Sequence, residues 1–216
     1  GIFTKCPENG CEIEEIDSVI ISHGHYDHTG GLASFLMVNS KARVYMKREA
    51  LTEKYDISKR YIGIECNPEL LENRVEFITR ITEIDKGLFI VPDITVLDSD
   101  DTHFSHFNEE FLDELYLAIT LDGELSIVTG CSHRGITNIM KSAKDYFNMP
   151  FNLVLGGFHT KDCTEDQFKR ISDYLMYNTP KSIGVCHCTG IEKYSSLSKL
   201  FGSKVFYNCT GTLVEI

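Results

Sequence analysis

The residues best suited to chemistry lie together near the start of the chain. Within residues 22–31, three histidines and one aspartate fall in six positions, namely His23, His25, Asp27 and His28. Imidazole suits zinc, iron and nickel, and a neighbouring carboxylate can hold a second ion. The alternative is a polar loop whose histidines only form hydrogen bonds. Four potential ligands at this spacing favour a metal site.

The segments on either side of this loop place it at the end of a strand. The apolar run at residues 18–21 predicts a buried strand, and residues 29–36 predict a helix. An α/β fold usually carries its reactive groups on such strand-to-helix loops.

Three further histidines occupy the same kind of position. His133, His159 and His187 each follow a predicted strand, at residues 125–128, 151–155 and 182–185. Loops at one edge of a sheet sandwich can converge on a single site, and this spacing permits such convergence. The other predicted elements are strands at 42–46, 74–79, 88–91, 94–97, 115–120 and 204–207, and helices at 47–55, 136–147, 164–178 and 192–200.

Three later motifs accompany the histidine-rich loop: Thr129-Gly130-Cys131-Ser132-His133-Arg134-Gly135-Ile136, Gly156-Gly157-Phe158-His159 and Cys186-His187-Cys188-Thr189-Gly190. Together the four resemble the metallo-β-lactamase superfamily, in particular the branch that includes the dihydropterin-methyl-aminobenzene ribofuranosyl-phosphate synthases. The resemblance implies an α/β fold, the four-layer αβ/βα sandwich. It also implies a single domain over residues 1–216, with halves at roughly 1–110 and 111–216.

The resemblance also implies an assignment of ligands. His23, His25 and His133 would bind a first metal ion, and Asp27, His28 and His187 a second. Asp27 could orient the nucleophile as well. An ion held by neutral imidazoles lowers the pKa of bound water towards ~7. Zinc is the predicted ion, with manganese and iron as alternatives.

The chain departs from the superfamily pattern at one place. Dinuclear members usually carry a bridging aspartate after the strand predicted here at 151–155, but residues 156–160 contain none. The second site could therefore be weak, or His159 could replace the carboxylate. His159 could instead bind substrate or act as a general acid or base, since its ordinary pKa is ~6.5. A purely structural role is the remaining alternative.

Polar residues beside the ligands are candidates for substrate binding. Arg134 could hold a substrate phosphate, or form a surface ion pair. Thr189 is the second candidate. Cys186 and Cys188 flank His187 and could supply a reactive thiolate, although close packing of small side chains is the favoured interpretation.

The acidic segment at 98–110 interrupts the periodic pattern and could be a lid or a linker. Its two histidines, His103 and His106, are interpreted as not binding metal. Cys6 and Cys11 lack a second cysteine pair of matching spacing, so a metal site there is disfavoured.

Composition limits the classes of substrate and partner that the chain is expected to bind. The 216 residues include 21 basic and 32 acidic side chains, a net charge of −11, which disfavours nucleic acid as substrate. No apolar run approaches the ~18 residues that span a membrane, and no leader is apparent, so a cytoplasmic protein with eight reduced cysteines is predicted. Superfamily members usually open with strands that precede the histidine loop. If this chain lacks them, an exposed sheet edge would favour a homo-oligomer.

Three functions fit these residues. The first is a metal-dependent hydrolase that acts on a small anionic substrate. The second is a transferase that condenses a dihydropterin-methyl diphosphate with an aminobenzene ribosyl phosphate. The third is a metal-binding protein without catalytic activity.

Overall fold

The computed structural model describes residue 10, residues 12–104 and residues 109–216. Cys6, Cys11 and His106 lie outside the described residues. The described chain forms two sheets with helices packed on them, as the predicted α/β sandwich requires.

The first sheet is small and parallel, with strand order β1-β2-β3, so β1 lies at its edge. Its strands are β1 (Ser18–Ile20), β2 (Arg43–Met46) and β3 (Val75–Phe77). The α-helices of this part are α1 (Tyr26–Thr29), α2 (Leu32–Val38) and α3 (Pro68–Leu71), and 3-10 turns cover Ile13–Glu15 and Arg48–Leu51.

The second sheet has seven strands in the order β10-β9-β8-β7-β6-β5-β4. Its strands are β4 (Thr82–Asp85), β5 (Leu88–Val91), β6 (Tyr116–Leu121), β7 (Glu124–Val128), β8 (Phe151–Gly156), β9 (Ser182–Val185) and β10 (Val205–Tyr207). Strands β4 to β7 pair antiparallel, and β7 to β10 pair parallel. The helices that connect the parallel strands are α4 (Ile136–Phe147), α5 (Glu165–Asn178) and α6 (Ile191–Phe201).

The alternation of side chains along the strands produces the layers. Tyr45 in β2 and Leu117 in β6 pack in one apolar cluster between the two sheets. Their neighbours Val44 and Ala118 face the other way, into two separate outer cores. The first outer core contains α2, and the second contains α4, α5 and α6. Each fully buried aliphatic side chain in these cores contributes about 1.5–3 kcal/mol.

Local sequence signals explain several boundaries. Asp122 and Gly123 have φ values of 50° and 79°, as a two-residue hairpin between β6 and β7 requires. Thr164 caps α5 because its side chain accepts a hydrogen bond from the Gln167 amide.

Two predicted elements need correction, and one strand of the structure has no counterpart among the predictions. Residues 94–97 do not form the predicted strand, because the Ile94 carbonyl accepts from the Arg134 guanidinium and the Leu97 amide donates to Asn138. The helix predicted at 47–55 is only the short turn Arg48–Leu51. Strand β4 was missed, since its residues alternate between half-buried and exposed at the sheet edge.

The first sheet ends at residue 77 and the second begins at residue 82, because β4 and β5 belong to the second sheet. This division lies earlier in the chain than the boundary between halves predicted near residue 110. None of the helices in the described ranges is long and apolar enough to cross a membrane.

Candidate metal centre

The loop after β1 is held by a buried ion pair. The Gly24 amide donates to Asp113 Oδ2 at 2.7 Å, and Lys54 Nζ lies 3.2 Å from the same oxygen. Gly24 packs so closely that a Cβ there would lie 2.2 Å from the Ala50 carbonyl oxygen. The backbone between His23 and His25 is therefore fixed by contacts with distant segments.

The other ligand candidates of this loop lie on the short helix α1. His25 is its N-cap residue, and its carbonyl oxygen accepts from the Thr29 hydroxyl at 3.0 Å. Asp27 and His28 lie in the helix itself. The His28 ring centre lies 4.2 Å from that of His23, so the helix brings His28 next to the buried histidine.

A first group consists of three buried imidazoles. His23, His25 and His133 each offer a ring nitrogen, and these atoms lie within 4.8 Å of one another. His23 Nδ1 shares a 3.1 Å hydrogen bond with Ser22 Oγ. His23 Nε2 is buried and makes no hydrogen bond within the described ranges, as expected of an atom placed to bind a ligand.

Burial keeps these imidazoles neutral, which is the form that binds metal. It lowers the pKa of His25 to about 4, and it lowers the pKa values of His23 and His133 well below the ordinary range. Three neutral imidazoles that face one another suit a divalent cation. The residues present therefore fit the metal that their pattern predicts.

A second group lies closer to solvent. Asp27, His28 and His187 bring their ligand atoms within 4.8 Å of one another. His187 Nε2 is 2.9 Å from Asp27 Oδ2, and His28 Nε2 is 3.6 Å from the same oxygen. The side chain of His187 is 54% exposed, so this group is open to a small molecule.

His159 follows β8 and reaches the edge of the first group. Its ring centre lies 4.4 Å from that of His133 and 4.5 Å from that of His103. Together with Cys131 and His133 it forms a further set of candidate ligand atoms. His103 belongs to none of the candidate groups found among the described residues.

Supporting residues that the sequence analysis did not identify surround His133. Both oxygens of Glu114 accept backbone hydrogen bonds at 2.7 Å, one from His133 and one from Arg134. The Phe111 ring stacks on the His133 imidazole at 3.9 Å. Burial raises the pKa of Glu114 to about 8. These residues lie 19 or more positions before His133, and no spacing rule connects them.

The two candidate substrate-binding residues have structural contacts. The Arg134 guanidinium donates to the carbonyl oxygens of Ile94 and Glu110. Thr189 is fully buried, and its hydroxyl accepts from the Phe158 amide at 3.0 Å. These contacts give no support to substrate binding, which stays a prediction for both residues.

The acidic segment is packed where it is described. A short 3-10 turn covers Ser99–Asp101, and buried Asp101 accepts from the amide and hydroxyl of Thr137. The His103 amide donates to the His133 carbonyl oxygen at 2.9 Å. Residues 99–103 therefore anchor the segment to the His133 loop, contrary to a solvated linker.

The cysteines near the site are free thiols. Cys188 Sγ lies 3.7 Å from the Cys131 carbonyl oxygen, and a Cβ at Gly157 would lie 2.5 Å from that sulfur. These contacts pack Cys188 closely, but hydrogen bonds to Cys131 and His159 lower the pKa of its thiol, so the reactive thiolate stays the alternative prediction. Cys131, which the sequence analysis did not single out, lies 3.0 Å from His28 Nε2 through its sulfur.

Comparisons with known proteins agree with this architecture. The sequence model of the metallo-beta-lactamase superfamily matches residues 5–114. The crystal structure of Tm1679, described as a metal-dependent hydrolase of the beta-lactamase superfamily, is 30% identical with a TM-score of 0.84, and the match covers 99% of this chain and 84% of that one.

Two proteins of Methanocaldococcus jannaschii are similar in sequence. The uncharacterized protein MJ0448 is 31% identical over 214 residues, which covers 95% of this chain and 80% of that protein. The 7,8-dihydropterin-6-methyl-4-(beta-D-ribofuranosyl)-aminobenzene-5'-phosphate synthase is 29% identical over 200 residues, 83% of this chain and 68% of that protein. From the family match and these relatives, this chain belongs to the metallo-β-lactamase superfamily.

Proposed function

We propose that the protein is a metal-dependent hydrolase that acts on a small anionic substrate. The observation that carries the proposal is the convergence of His23, His25 and His133, neutral by burial, beside the accessible group of Asp27, His28 and His187. The description of Tm1679 as a metal-dependent hydrolase supports the same reaction type.

A divalent ion at these ligands would supply Lewis-acid polarisation and an activated water nucleophile. Zinc is the proposed ion because neutral imidazoles dominate the ligand set, and manganese and iron are the alternatives. Ser22, Phe111 and Glu114 would hold the imidazoles in position through the contacts described above. Such supporting contacts orient the ligands of a metal.

Two side chains are proposed to handle protons. Asp27 is part of the accessible group, where its carboxylate could accept a proton from an attacking water. His159 lies beside His133 and is half-buried, so its imidazole could donate a proton to the leaving group.

The charge of the chain supports a small substrate. With 32 acidic and 21 basic side chains, the protein would repel a nucleic acid backbone. A small anion would instead be attracted by the bound cations. Self-association through the edge of β1 stays a prediction.

The second candidate is a transferase. The observation that favours it is the 29% identity with the dihydropterin-methyl-aminobenzene phosphate synthase. In that case the diphosphate of the activated pterin would be held by the bound metal ions, and an aminobenzene ribosyl phosphate, not water, would supply the attacking atom. A metal-binding role without turnover is the third candidate.

One experiment compares these candidates. Protein purified with its native metals is incubated with a phosphodiester, a thioester, a lactone and a hydroxymethyl-dihydropterin diphosphate. The last is tested with and without the aminobenzene ribosyl phosphate, and products are identified by mass spectrometry. His133→Ala is tested in parallel, with circular dichroism and metal content measured on every sample.

The hydrolase proposal predicts a hydrolysis product that disappears after chelation and in folded His133→Ala. A condensed pterin product would support the transferase and overturn the hydrolase. Metal bound without turnover of any compound would favour the non-catalytic role. Hydrolysis that persists in the metal-free protein would contradict the role of the histidines.

A further inference from the structure

Cys131 lies inside the histidine cluster, between its two groups. Its Sγ atom is 3.0 Å from His28 Nε2. Its sulfur and the ring nitrogens of His23 and His28 lie within 4.8 Å of one another, and the same is true of Cys131, His133 and His159. A ligand atom at this position reaches both groups.

No carboxylate among the described residues shares that position. Gly156 ends β8 and Gly157 follows it, and neither carries a side-chain donor. Asp27 lies on the accessible side, 2.9 Å from His187. The buried space beside His28 is therefore open to the Cys131 sulfur.

A second observation indicates that this space takes a ligand. His23 offers a ring nitrogen to the same set of candidate atoms as the Cys131 sulfur. Its Nε2 atom is buried and finds no hydrogen-bond partner in the part of the chain that the structure describes. A buried polar atom without a partner costs about 1–3 kcal/mol, and metal ligation would remove that cost.

The backbone on both sides of Cys131 is fixed. The Gly157 amide donates to the Gly130 carbonyl oxygen at 2.8 Å. The Ser132 hydroxyl donates to the Gly157 carbonyl oxygen, also at 2.8 Å. These bonds join the loops after β7 and β8, so the sulfur is held towards the cluster before any ion binds.

We infer that Cys131 is a thiolate ligand of the ion on the His28 side, in place of a bridging carboxylate. The inference rests on the proposed metal site. Binding converts the thiol to a thiolate, and the proton passes to solvent. A sulfur ligand favours zinc over manganese, because manganese prefers oxygen ligands.

The competing explanation is that Cys131 is a buried thiol that only packs and hydrogen-bonds to His28, as free cysteines often do. A packing cysteine would leave the metal content unchanged when it is replaced by serine. A ligand would change both the metal content and the spectrum of the bound ion.

The first test uses zinc-loaded wild-type protein and X-ray absorption at the zinc edge. Ligation predicts a sulfur atom at about 2.3 Å among nitrogen ligands. The second test replaces zinc by cobalt(II) and looks for the sulfur-to-cobalt charge-transfer absorption. Cys131→Ser is compared with Cys188→Ser and with Cys66→Ser, a control whose thiol hydrogen-bonds elsewhere, to Asn67.

We expect the cobalt absorption in the wild type, Cys188→Ser and Cys66→Ser, and its loss in Cys131→Ser. Cys131→Ser should also bind the ion of the His28 side more than about tenfold more weakly. A zinc spectrum without sulfur would overturn the inference and leave the histidine site intact. If Cys188→Ser alone loses the absorption, Cys131 is not the ligand. Wild-type protein that binds no metal would overturn the proposed function as well.

Discussion

Replacing Gly130 by alanine should disturb metal binding through a residue that touches no metal. A Cβ at this position would lie 2.3 Å from Ser22 Oγ and 2.9 Å from Ser22 Cβ. Ser22 would have to move, and with it the 3.1 Å hydrogen bond that orients the His23 ring. The same Cβ would lie 3.3 Å from His23 Nδ1, so the ring itself would be displaced.

Two magnitudes follow from this geometry. Overpacking of a tight buried site costs about 1–3 kcal/mol of unfolding free energy. Loss of the contact that positions a ligand weakens metal binding by about 10- to 100-fold. Urea unfolding of the metal-free protein measures the first quantity, and competition for zinc with a chromogenic chelator measures the second.

Two further variants distinguish the steric effect of an added Cβ from the loss of the hydrogen bond that positions the His23 ring. Ser22→Ala removes the hydrogen bond to His23 without adding an atom, and it should weaken zinc binding while costing only about 1 kcal/mol of stability. Gly31→Ala is the matched control, because a Cβ there would meet nothing within 4 Å, and its stability should stay within about 0.5 kcal/mol. Wild-type zinc affinity in both Gly130→Ala and Ser22→Ala would refute the positioning role.

Three other perturbations test the surroundings of the site. Lys54→Met leaves the buried Asp113 carboxylate without its ion pair and should cost about 3–5 kcal/mol in urea unfolding, whereas Lys169→Met on an exposed pair should cost less than about 1 kcal/mol. Burial raises the pKa of Asp101 to about 7, so between about pH 4 and 7 the folded state holds a proton that the unfolded chain has lost, and stability should fall as pH rises. Asp101→Asn should abolish this pH dependence, which changes the unfolding free energy by at most about 4 kcal/mol in total. Asp100→Asn should leave the pH dependence unchanged. Removal of metal should lower the unfolding temperature, and zinc at 100 times its dissociation constant should restore about 2.7 kcal/mol.

The sequence was sufficient to predict which loops carry the histidines. His133, His159 and His187 follow β7, β8 and β9, which are parallel neighbours in the second sheet. Their loops therefore leave the sheet at the same edge, and strand periodicity in the sequence indicates where each of these loops begins. The motif around His23 adds the fourth loop, and the sequence permits, without requiring, that the four loops converge on one site.

The residues that support the ligands could not be predicted in this way. Glu114 binds the His133 backbone from 19 positions away, and Asp113 binds the Gly24 amide from 89 positions away. From the sequence alone, each of these two residues would be interpreted as an acidic side chain in a solvent-exposed segment. Cys131 was likewise overlooked, because its distance to His28 depends on how two loops 103 positions apart fold together.

The residue types also do not predict the backbone conformation of the loops that carry the candidate ligands. Ser132, His159 and His187 have φ values of 55°, 51° and 48°, a region that usually indicates glycine. Such a conformation costs on the order of 1–3 kcal/mol at each residue. Glycine would relieve that cost at His159 and His187 but would remove the imidazole. Both rings lie in the histidine cluster, and on the proposed function the roles of their imidazoles would account for the strained conformation.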